Sequence, residues 1–442
     1  MKIPYGSGVV DLAAEAVLGP PQFAWSAAEA GRPRTAGPDR FAPPAWDRLL
    51  ERLPGDPARP VLVVADGTRR GLWQAAFAGL AADLRNRWPK TRLDVLVATG
   101  IHAPVPEKRL CAHLGLTPEA GHASQEASRL LDDLRGGRLA LHQHDAGGDL
   151  TNLGSTARGT AVSVDDRYAV SDARILLGGT SYHYFAGFGG GPKLVFPGLA
   201  GRAGILHNHL LAVDETTGRW RSRCAGGRLA GNPVAEDIAE AASLAPPHAL
   251  VLVERAGRTG EPAVNVGWAD WLDVFGGACR RYDREHRIPL DRPLDGVVAD
   301  AGGEPRDLHL LQVHKSLQHA VRFVRPGGWI LLAGACRDGV GSPSLIDLAS
   351  RTFRESALEI RRTARASFHL QTAVALRHAT RGREVGLLSG LSARSPDAIR
   401  SLGWTPLAGE AAALAWLEGR RGARWAWLSE ADTVLPVLPA RR

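Results

Sequence analysis

The chain has 442 residues, of which 44% are apolar and 23% are charged, and its formal net charge is +8. This length and composition are typical of a globular protein of two or three domains. No segment approaches the roughly 18 consecutive apolar residues of a membrane helix, and the N-terminus lacks the apolar core of a signal peptide. The basic excess is dispersed arginine without interleaved aromatic residues, so we expect neither nucleic acid nor a membrane as partner.

Two scarce residue types are informative. The four cysteines are scattered and form no CxxC pair, which favours a reducing, cytoplasmic environment over a disulfide framework. Only five lysines occur, against a large arginine excess. Arginine cannot act as an amine nucleophile, so a lysine retained in such a chain is a candidate for chemistry.

The first part of the chain alternates apolar strands with helices, the pattern of βαβ units. The run VLVVAD, ending at Asp66, predicts a buried strand, and a helix over 72–88 leads to a second strand over 93–100. Further strands are predicted over 161–164, 174–177 and 248–254, and further helices over 46–53, 107–114, 125–134, 233–245 and 268–284.

A second series of the same kind opens near Leu294 with the strand DGVVAD. A helix is predicted over 307–324, followed by a glycine turn, a strand and the glycine loop of GACRDGVGS. The sequence therefore predicts an α/β fold with mostly parallel sheets. We place an N-terminal α/β domain at 1–283 and a C-terminal α/β domain at 284–442.

The stretch GGTSYHYFAGFGGGPKLVFPGLAGRAGILHNHL, from Gly178 to Leu210, is unusually rich in glycine. Six glycines fall between Gly178 and Gly191, and Lys193 follows them. Glycine at this density costs backbone entropy, so we expect the backbone to approach a ligand closely here. No hydroxyl residue follows Lys193 as in a Walker A loop, and no GxGxxG opens a helix. A glycine-rich turn with a solvated lysine accounts for the same pattern equally well.

The histidines near these loops are candidates for acid/base or metal chemistry. His102 and His183 lie in glycine-rich loops after strands, where two imidazoles could act on one carbon from opposite faces. His207 and His209 are of a residue type that ligates zinc, copper or nickel, although a structural role is the commoner one for a single histidine. Two further histidines compete for the acid/base role or lie in a polar turn, namely His142 and His144.

Two polar groups are candidates for binding an anion. Asp66, Thr68 and Arg69 follow the first strand, where backbone N–H groups and the guanidinium could hold a phosphate or carboxylate; a simple helix cap explains them too. Gln312 and Lys315 are three residues apart on one helical face and can point at one anion, or face solvent.

Seven motifs occur in an order that is more specific than any one of them. In chain order they are DGTRR, ATGIH, HDA followed by NLGST, HYFAGFGGGPK, PGLAG followed by NHL, GGEPRDLHLLQVHK and GACRDGVGS. On these motifs most of the chain resembles the nickel-dependent lactate racemase family. The resemblance implies an isomerase, a racemase or epimerase of 2-hydroxy acids, with its active site in the cleft between two α/β domains.

Members of that family use a nickel-pincer nucleotide, a pyridinium mononucleotide with two arms that hold nickel through sulfur and carbon. By position, Lys193 matches the lysine joined to this cofactor, and His209 matches the nickel ligand. The resemblance assigns the remaining roles as follows: His102 and His183 as the paired acid/base histidines, Asp66, Gly67, Thr68 and Arg69 as the cofactor-contact loop with Arg69 also near the substrate, and Gln312 and Lys315 as binders of the substrate carboxylate.

The implied reaction is proton-coupled hydride transfer. One histidine takes the hydroxyl proton while hydride passes to the cofactor, and the 2-oxo acid turns and receives hydride on its other face. Ala103 and Leu311 replace a commoner arginine and tyrosine of the family, which predicts a substrate bulkier than lactate. The enzymes of the host that make the cofactor are the implied protein partners.

Two other functions fit parts of the sequence. A metal-dependent hydrolase could use His102, His183 and His209, although no carboxylate accompanies a histidine motif. A non-catalytic nucleotide-binding protein could keep the same fold, although Lys193 and His209 would then have no reason to remain.

Overall fold

The computed structural model describes residues 1–26, 44–68, 71–117, 125–255, 262–362 and 368–439. The strands are β1 Lys2–Tyr5, β2 Gly8–Asp11, β3 Ala24–Ser26, β4 Pro60–Ala65, β5 Leu93–Ala98, β6 Leu139–Gln143, β7 Leu150–Ser155, β8 Ala161–Asp165, β9 Ala173–Gly178, β10 Ser181–His183, β11 Gly187–Gly189, β12 Ala249–Arg255, β13 Pro262–Gly267, β14 Arg287–Pro289, β15 Leu294–Asp300, β16 Val324–Ala333, β17 Glu384–Leu388, β18 Thr405–Leu407, β19 Trp425–Ser429 and β20 Leu435–Val437.

The helices alternate with these strands. They are α1 Ala14–Leu18, α2 Pro44–Arg52, α3 Trp73–Arg87, α4 Glu107–His113, α5 Gln125–Arg135, α6 Asp166–Ala169, α7 Arg202–Leu210, α8 Pro233–Ser243, α9 Trp271–Glu285, α10 Leu310–Ala320, α11 Leu345–Ser350, α12 Phe353–Arg362, α13 Leu370–Thr380, α14 Gly390–Arg394, α15 Pro396–Ser401 and α16 Glu410–Glu418. No helix in the described part of the chain is long and apolar enough to cross a bilayer.

The first sheet has six strands in the order β13-β12-β9-β4-β5-β6, and every pairing is parallel except that of β12 with β13. The apolar residues on both faces of strand β4 explain its central position in a parallel arrangement. Val61 and Val63 pack into the hydrophobic cluster on one face of the sheet, and Leu62 and Val64 into the cluster on the other. Both faces are thus covered, which is the condition under which a continuously apolar strand is stable.

The second sheet is parallel throughout, in the order β18-β17-β16-β15-β19-β3. Its central strand β15 also alternates between two clusters, with Val297 and Ala299 on one face and Val298 on the other. The predicted α/β fold with mostly parallel sheets is therefore confirmed. All four cysteines are free and buried.

The N-terminal segment belongs spatially to the second sheet. Strand β3 pairs with β19, and Ile3 and Leu12 are fully buried in the cluster that also contains Val298. Sequence periodicity does not predict that the N-terminal segment joins the second sheet, because β3 is only three residues long. The division into 1–283 and 284–442 stays a prediction. The pairing of β3 with β19 shows in addition that the first residues of the chain pack with its later part.

Candidate active site

A cavity of about 830 Å³ lies between the two sheets. Residues from the carboxyl ends of both sheets form its wall, including Asp66 after β4, Gly178 at the end of β9, and Arg306 after β15. This is the position at which parallel α/β sheets bind ligands, because the loops at that edge converge.

Most of the residues predicted to carry chemistry meet at this cavity. Gly67 belongs to the same loop as Asp66 and Thr68 but is not part of the wall, and Arg69 lies outside the described residues. The predicted residues that line the cavity are Asp66, Thr68, His102, His183, Lys193, His209, Gln312 and Lys315.

The glycine-rich stretch folds as a hairpin of β10 and β11 followed by a 3-10 turn, Gly191–Leu194. Its glycines are required mainly by the protein itself. A Cβ on Gly187, at φ +78°, would lie 2.1 Å from the carbonyl oxygen of Arg228, and one on Gly190, at φ +84°, would lie 1.9 Å from that of Gly179. Close backbone packing therefore demands glycine at these two positions, and the expected close approach of a ligand stays a prediction.

His102 is held by Asp66. The Nδ1 atom of His102 forms a short hydrogen bond to Oδ2 of Asp66, while Oδ1 accepts from the hydroxyl of Thr68 at 2.7 Å. A carboxylate only accepts, so Nδ1 of His102 carries the proton of this bond. In the neutral ring Nε2 is then a proton acceptor.

His183 has the opposite arrangement. The backbone N–H of Ala186 donates to Nδ1 of His183 at 3.3 Å, so in the neutral ring Nε2 carries the proton. The ring is buried, stacks on Tyr184 at a centroid distance of 5.4 Å, and meets Phe185 edge-on at 4.6 Å. These contacts orient the ring at the cavity wall.

Lys193 and His209 both contact the ring of Phe185. Nζ of Lys193 lies 5.5 Å from the centroid of Phe185, and the His209 ring meets it edge-on at 5.1 Å. Burial, and then the nearby charge of Lys193, lower the pKa of His209 to about 3. Its Nδ1 is buried and has no hydrogen-bond partner among the described residues. His209 is therefore a neutral imidazole, the form that ligates a metal.

The competing histidines are engaged elsewhere. His207 bonds through Nδ1 to Thr160 at 2.8 Å, and His142 contacts Asp94 at 3.3 Å. His144 is buried between Asp165 and the carbonyl oxygen of Ala200, at 3.1 and 3.0 Å. None of these three histidines belongs to the cavity wall, which makes them structural residues in this fold.

Gln312 and Lys315 share the face of α10 that borders the cavity, and Nζ of Lys315 donates a short hydrogen bond to Oε1 of Gln312. Their predicted role in binding the substrate carboxylate stays a prediction. A cation and an amide at this spacing can bind one carboxylate together.

The cavity wall also contains residues that sequence analysis missed. They are Tyr184, His309, His314, His369, Gln371 and Thr372. His309 and His314 lie within the motif GGEPRDLHLLQVHK, so their position beside Gln312 and Lys315 was a usable signal. His369 and Gln371 belong to the start of α13, and no motif pointed to them.

Among the described residues, no three His, Cys, Asp or Glu side chains converge as a metal site. A protein-only site built from His102, His183 and His209, as a hydrolase would need, is thus not present in this part of the chain. A metal at His209 would need ligands supplied by another molecule.

The fold and the cavity define an α/β protein with a cavity of small-molecule size between its two main sheets. Residues 42–220 match the family model described as the lactate racemase N-terminal domain. Two lactate racemases are similar to the chain. That of Lactiplantibacillus plantarum is 25% identical, over 67% of this chain and 65% of the relative, and that of Thermoanaerobacterium thermosaccharolyticum is 24% identical, over 71% and 67%.

Two solved structures share the fold. The lactate racemase apoprotein from Thermoanaerobacterium thermosaccharolyticum superposes with a TM-score of 0.75 at 18% identity, covering 99% of both chains. A protein from Thermotoga maritima superposes with a TM-score of 0.65 at 16% identity, covering 89% of this chain and 96% of that one. The sequence alignment spans just under two thirds of the Lactiplantibacillus relative.

Proposed function

We propose that the protein is an isomerase, a racemase or epimerase of 2-hydroxy acids, and that it acts with a nickel-pincer nucleotide in the cytosol. The observation that carries the proposal is that one cavity is lined by two oppositely hydrogen-bonded histidines, by Lys193, by His209 with its buried, unpartnered Nδ1, and by the cation and amide of Lys315 and Gln312. These residues come from distant parts of the sequence, and the similarity to two lactate racemases supports the same activity.

The residues present fit the proposed cofactor. Nδ1 of His209 is a buried nitrogen without a partner among the described residues, and the ring is neutral, as a nickel ligand must be. Lys193 lies over the ring of Phe185, which His209 also contacts, and its side chain carries an amine for attachment. We propose that His209 ligates nickel, that Lys193 tethers the nucleotide, and that Asp66, Gly67, Thr68 and Arg69 form the loop around it.

When bound, the nucleotide supplies an acceptor and donor of hydride for the substrate carbon. The protein must then fix the carboxylate, so that carbon 2 keeps its place while the rest of the molecule turns. Lys315 and Gln312 can do this from α10, with Arg69 as a further proposed contact. Both side chains are half-buried, where a charge-assisted hydrogen bond is stronger than in water.

His102 and His183 accept and return the hydroxyl proton of the substrate. Nε2 of neutral His102 can accept it, because Asp66 holds the ring proton on Nδ1. Nε2 of neutral His183 bears a proton and can donate a hydrogen bond to the same oxygen. One full conversion transfers a proton to one ring, which begins neutral, and returns a proton from the other, which must begin as an imidazolium and end neutral. The two stereoisomers therefore react with opposite protonation states of the pair.

The test is to express the protein together with enzymes that make the nickel-pincer nucleotide. We expect an intact mass raised by an adduct that maps to Lys193, one nickel per chain, and stereochemical inversion at C2 of a 2-hydroxy acid, measured by chiral analysis. Lys193→Arg keeps the charge and serves as the control for attachment. Nickel-loaded protein that does not invert any 2-hydroxy acid contradicts the proposed activity, and unmodified Lys193 in active enzyme contradicts the covalent bond alone.

A further inference from the structure

A group of buried polar residues in the cavity wall has no role in the steps above. This polar cluster consists of Tyr184, His314, Gln371 and Thr372, whose exposed fractions are 8, 2, 5 and 4%. All four residues line the cavity. Burying polar side chains costs free energy unless hydrogen-bond partners replace water, so the bonding of this cluster indicates what it can bind.

Three members of the polar cluster are bonded to one another across the cleft. The hydroxyl of Tyr184, which follows β10, donates to Oε1 of Gln371 on α13 at 3.1 Å and lies 3.4 Å from Oγ1 of Thr372. The same tyrosine ring stacks on His183 and meets His314 edge-on at 5.0 Å. The polar cluster therefore adjoins the histidine that we place at the reacting carbon.

His314 presents an unused acceptor. Its Nδ1 donates to the backbone carbonyl of Leu311 at 2.7 Å, which leaves Nε2 of the neutral ring with a lone pair. Burial, and then the charge of Lys315, lower the pKa of His314 to about 3, so the ring stays neutral. Nε2 is buried and has no hydrogen-bond partner among the described residues. Its route to a partner is through the cavity that the residue lines.

The chemistry of this acceptor distinguishes three kinds of substrate side chain. An alkyl group offers no hydrogen and would leave the nitrogen unpaired. A second carboxylate offers only lone pairs, and the four side chains of the polar cluster include no cation to balance its charge. A hydroxyl group can donate to Nε2 of His314 and also accept a hydrogen bond.

We propose, on the basis of the function proposed above, that the substrate is a 2-hydroxy acid with a further hydroxyl group on its side chain, bound by the polar cluster with Nε2 of His314 as acceptor. His314 and the proposed carboxylate anchors Gln312 and Lys315 belong to the same helix, α10, and all three line the cavity. Ala103 and Leu311, small or flexible side chains in the same wall, leave space for such a substrate.

The test uses acids matched in size. Protein loaded with the cofactor is assayed for inversion at C2 of 2,3-dihydroxybutanoate and of 2-hydroxy-3-methylbutanoate, in which a methyl replaces the hydroxyl. A second pair, 2,4-dihydroxybutanoate and 2-hydroxypentanoate, moves the hydroxyl to carbon 4, and malate supplies a carboxylate. We expect kcat/KM to favour the hydroxylated member of at least one pair by about 10-fold or more, because a site built for a hydroxyl rejects its apolar analogue.

His314→Phe keeps a ring of similar size and removes the acceptor, so the ratio within the favoured pair should fall toward one. His319→Phe is the matched control, since it replaces another buried histidine of α10 that is not part of the cavity wall, and it should keep the ratio. Three outcomes would each overturn the inference: a kcat/KM ratio near one within both pairs for the unmodified protein, malate as the best substrate, or an unchanged ratio in the His314 variant. Failure of every acid to undergo inversion would instead contradict the proposed function itself.

Discussion

Oδ2 of Asp66 and Nδ1 of His102 share a short hydrogen bond at the edge of the cavity. The carboxylate follows β4 and the imidazole follows β5, two adjacent parallel strands whose carboxyl ends meet at one edge. Asp66 was predicted as a cofactor contact, and that role stays a prediction. The geometry adds that Asp66 is a positioning residue for His102, since it fixes the tautomer and the orientation of the ring.

Asp66→Asn should therefore affect proton transfer more than binding. The amide keeps the size of the side chain and loses the negative charge that favours a proton on the His102 ring. We expect kcat to fall by about 10²-fold or more, as for other histidines deprived of an orienting carboxylate, with KM changed less. Unchanged kcat would mean that the Asp66 bond has no catalytic role.

His102→Gln and His183→Gln should each lower the rate by about 10²- to 10⁴-fold, which is typical of the loss of a positioned acid or base. Nickel content should stay the same in both variants, because neither ring is proposed as a ligand. His142→Gln is the control, since that histidine contacts Asp94 outside the cavity wall. Full activity of the His183 variant would mean that another group in the wall supplies the second proton.

The sequence predicted the order of strands and helices well, because the central strands are continuous apolar runs ending in polar loops. The run VLVVAD became β4 with its carboxyl end at the cavity. The site residues were found through motif order, and eight of them line one cavity. Their assigned roles stay predictions.

Other features depend on contacts between distant residues, which local sequence does not encode. The bond between Tyr184 and Gln371 joins residues 187 positions apart. Gly187 and Gly190 are needed because the backbone at Arg228 and Gly179 passes close by. Arg69, predicted to contact both cofactor and substrate, lies outside the described residues.

His209→Ala should abolish nickel binding while the fold survives. Nδ1 of His209 has no hydrogen-bond partner among the described residues, so little internal bonding is lost when the ring is removed. His207→Ala is the matched control on the same helix, because its ring bonds Thr160 and is not part of the cavity wall. Metal analysis of both loaded variants measures the difference. Stoichiometric nickel in the His209 variant would exclude His209 as the required ligand.

His319→Gln should make the protein less sensitive to acid. Burial lowers the pKa of His319 to about 4, while an unfolded histidine takes up its proton near pH 6.5. Between these values the unfolded chain binds more protons than the folded one, so the free energy of unfolding falls as the pH falls. The loss from this residue is complete below about pH 4 and amounts to at most about 3 kcal/mol.

Glutamine does not titrate, and it can still donate to the carbonyl oxygen of Val434, the hydrogen-bond partner of His319 at 3.2 Å. Urea unfolding at pH 7 and at pH 4.5 measures the free energy of unfolding of both proteins. At pH 7 the two should differ only by the pH-independent cost of the substitution, and at pH 4.5 the variant should gain relative to the parent protein. Burial also holds the pKa values of His209 and His314 near 3, so part of the acid sensitivity should remain. An identical difference at the two pH values would show that His319 does not take up a proton preferentially on unfolding.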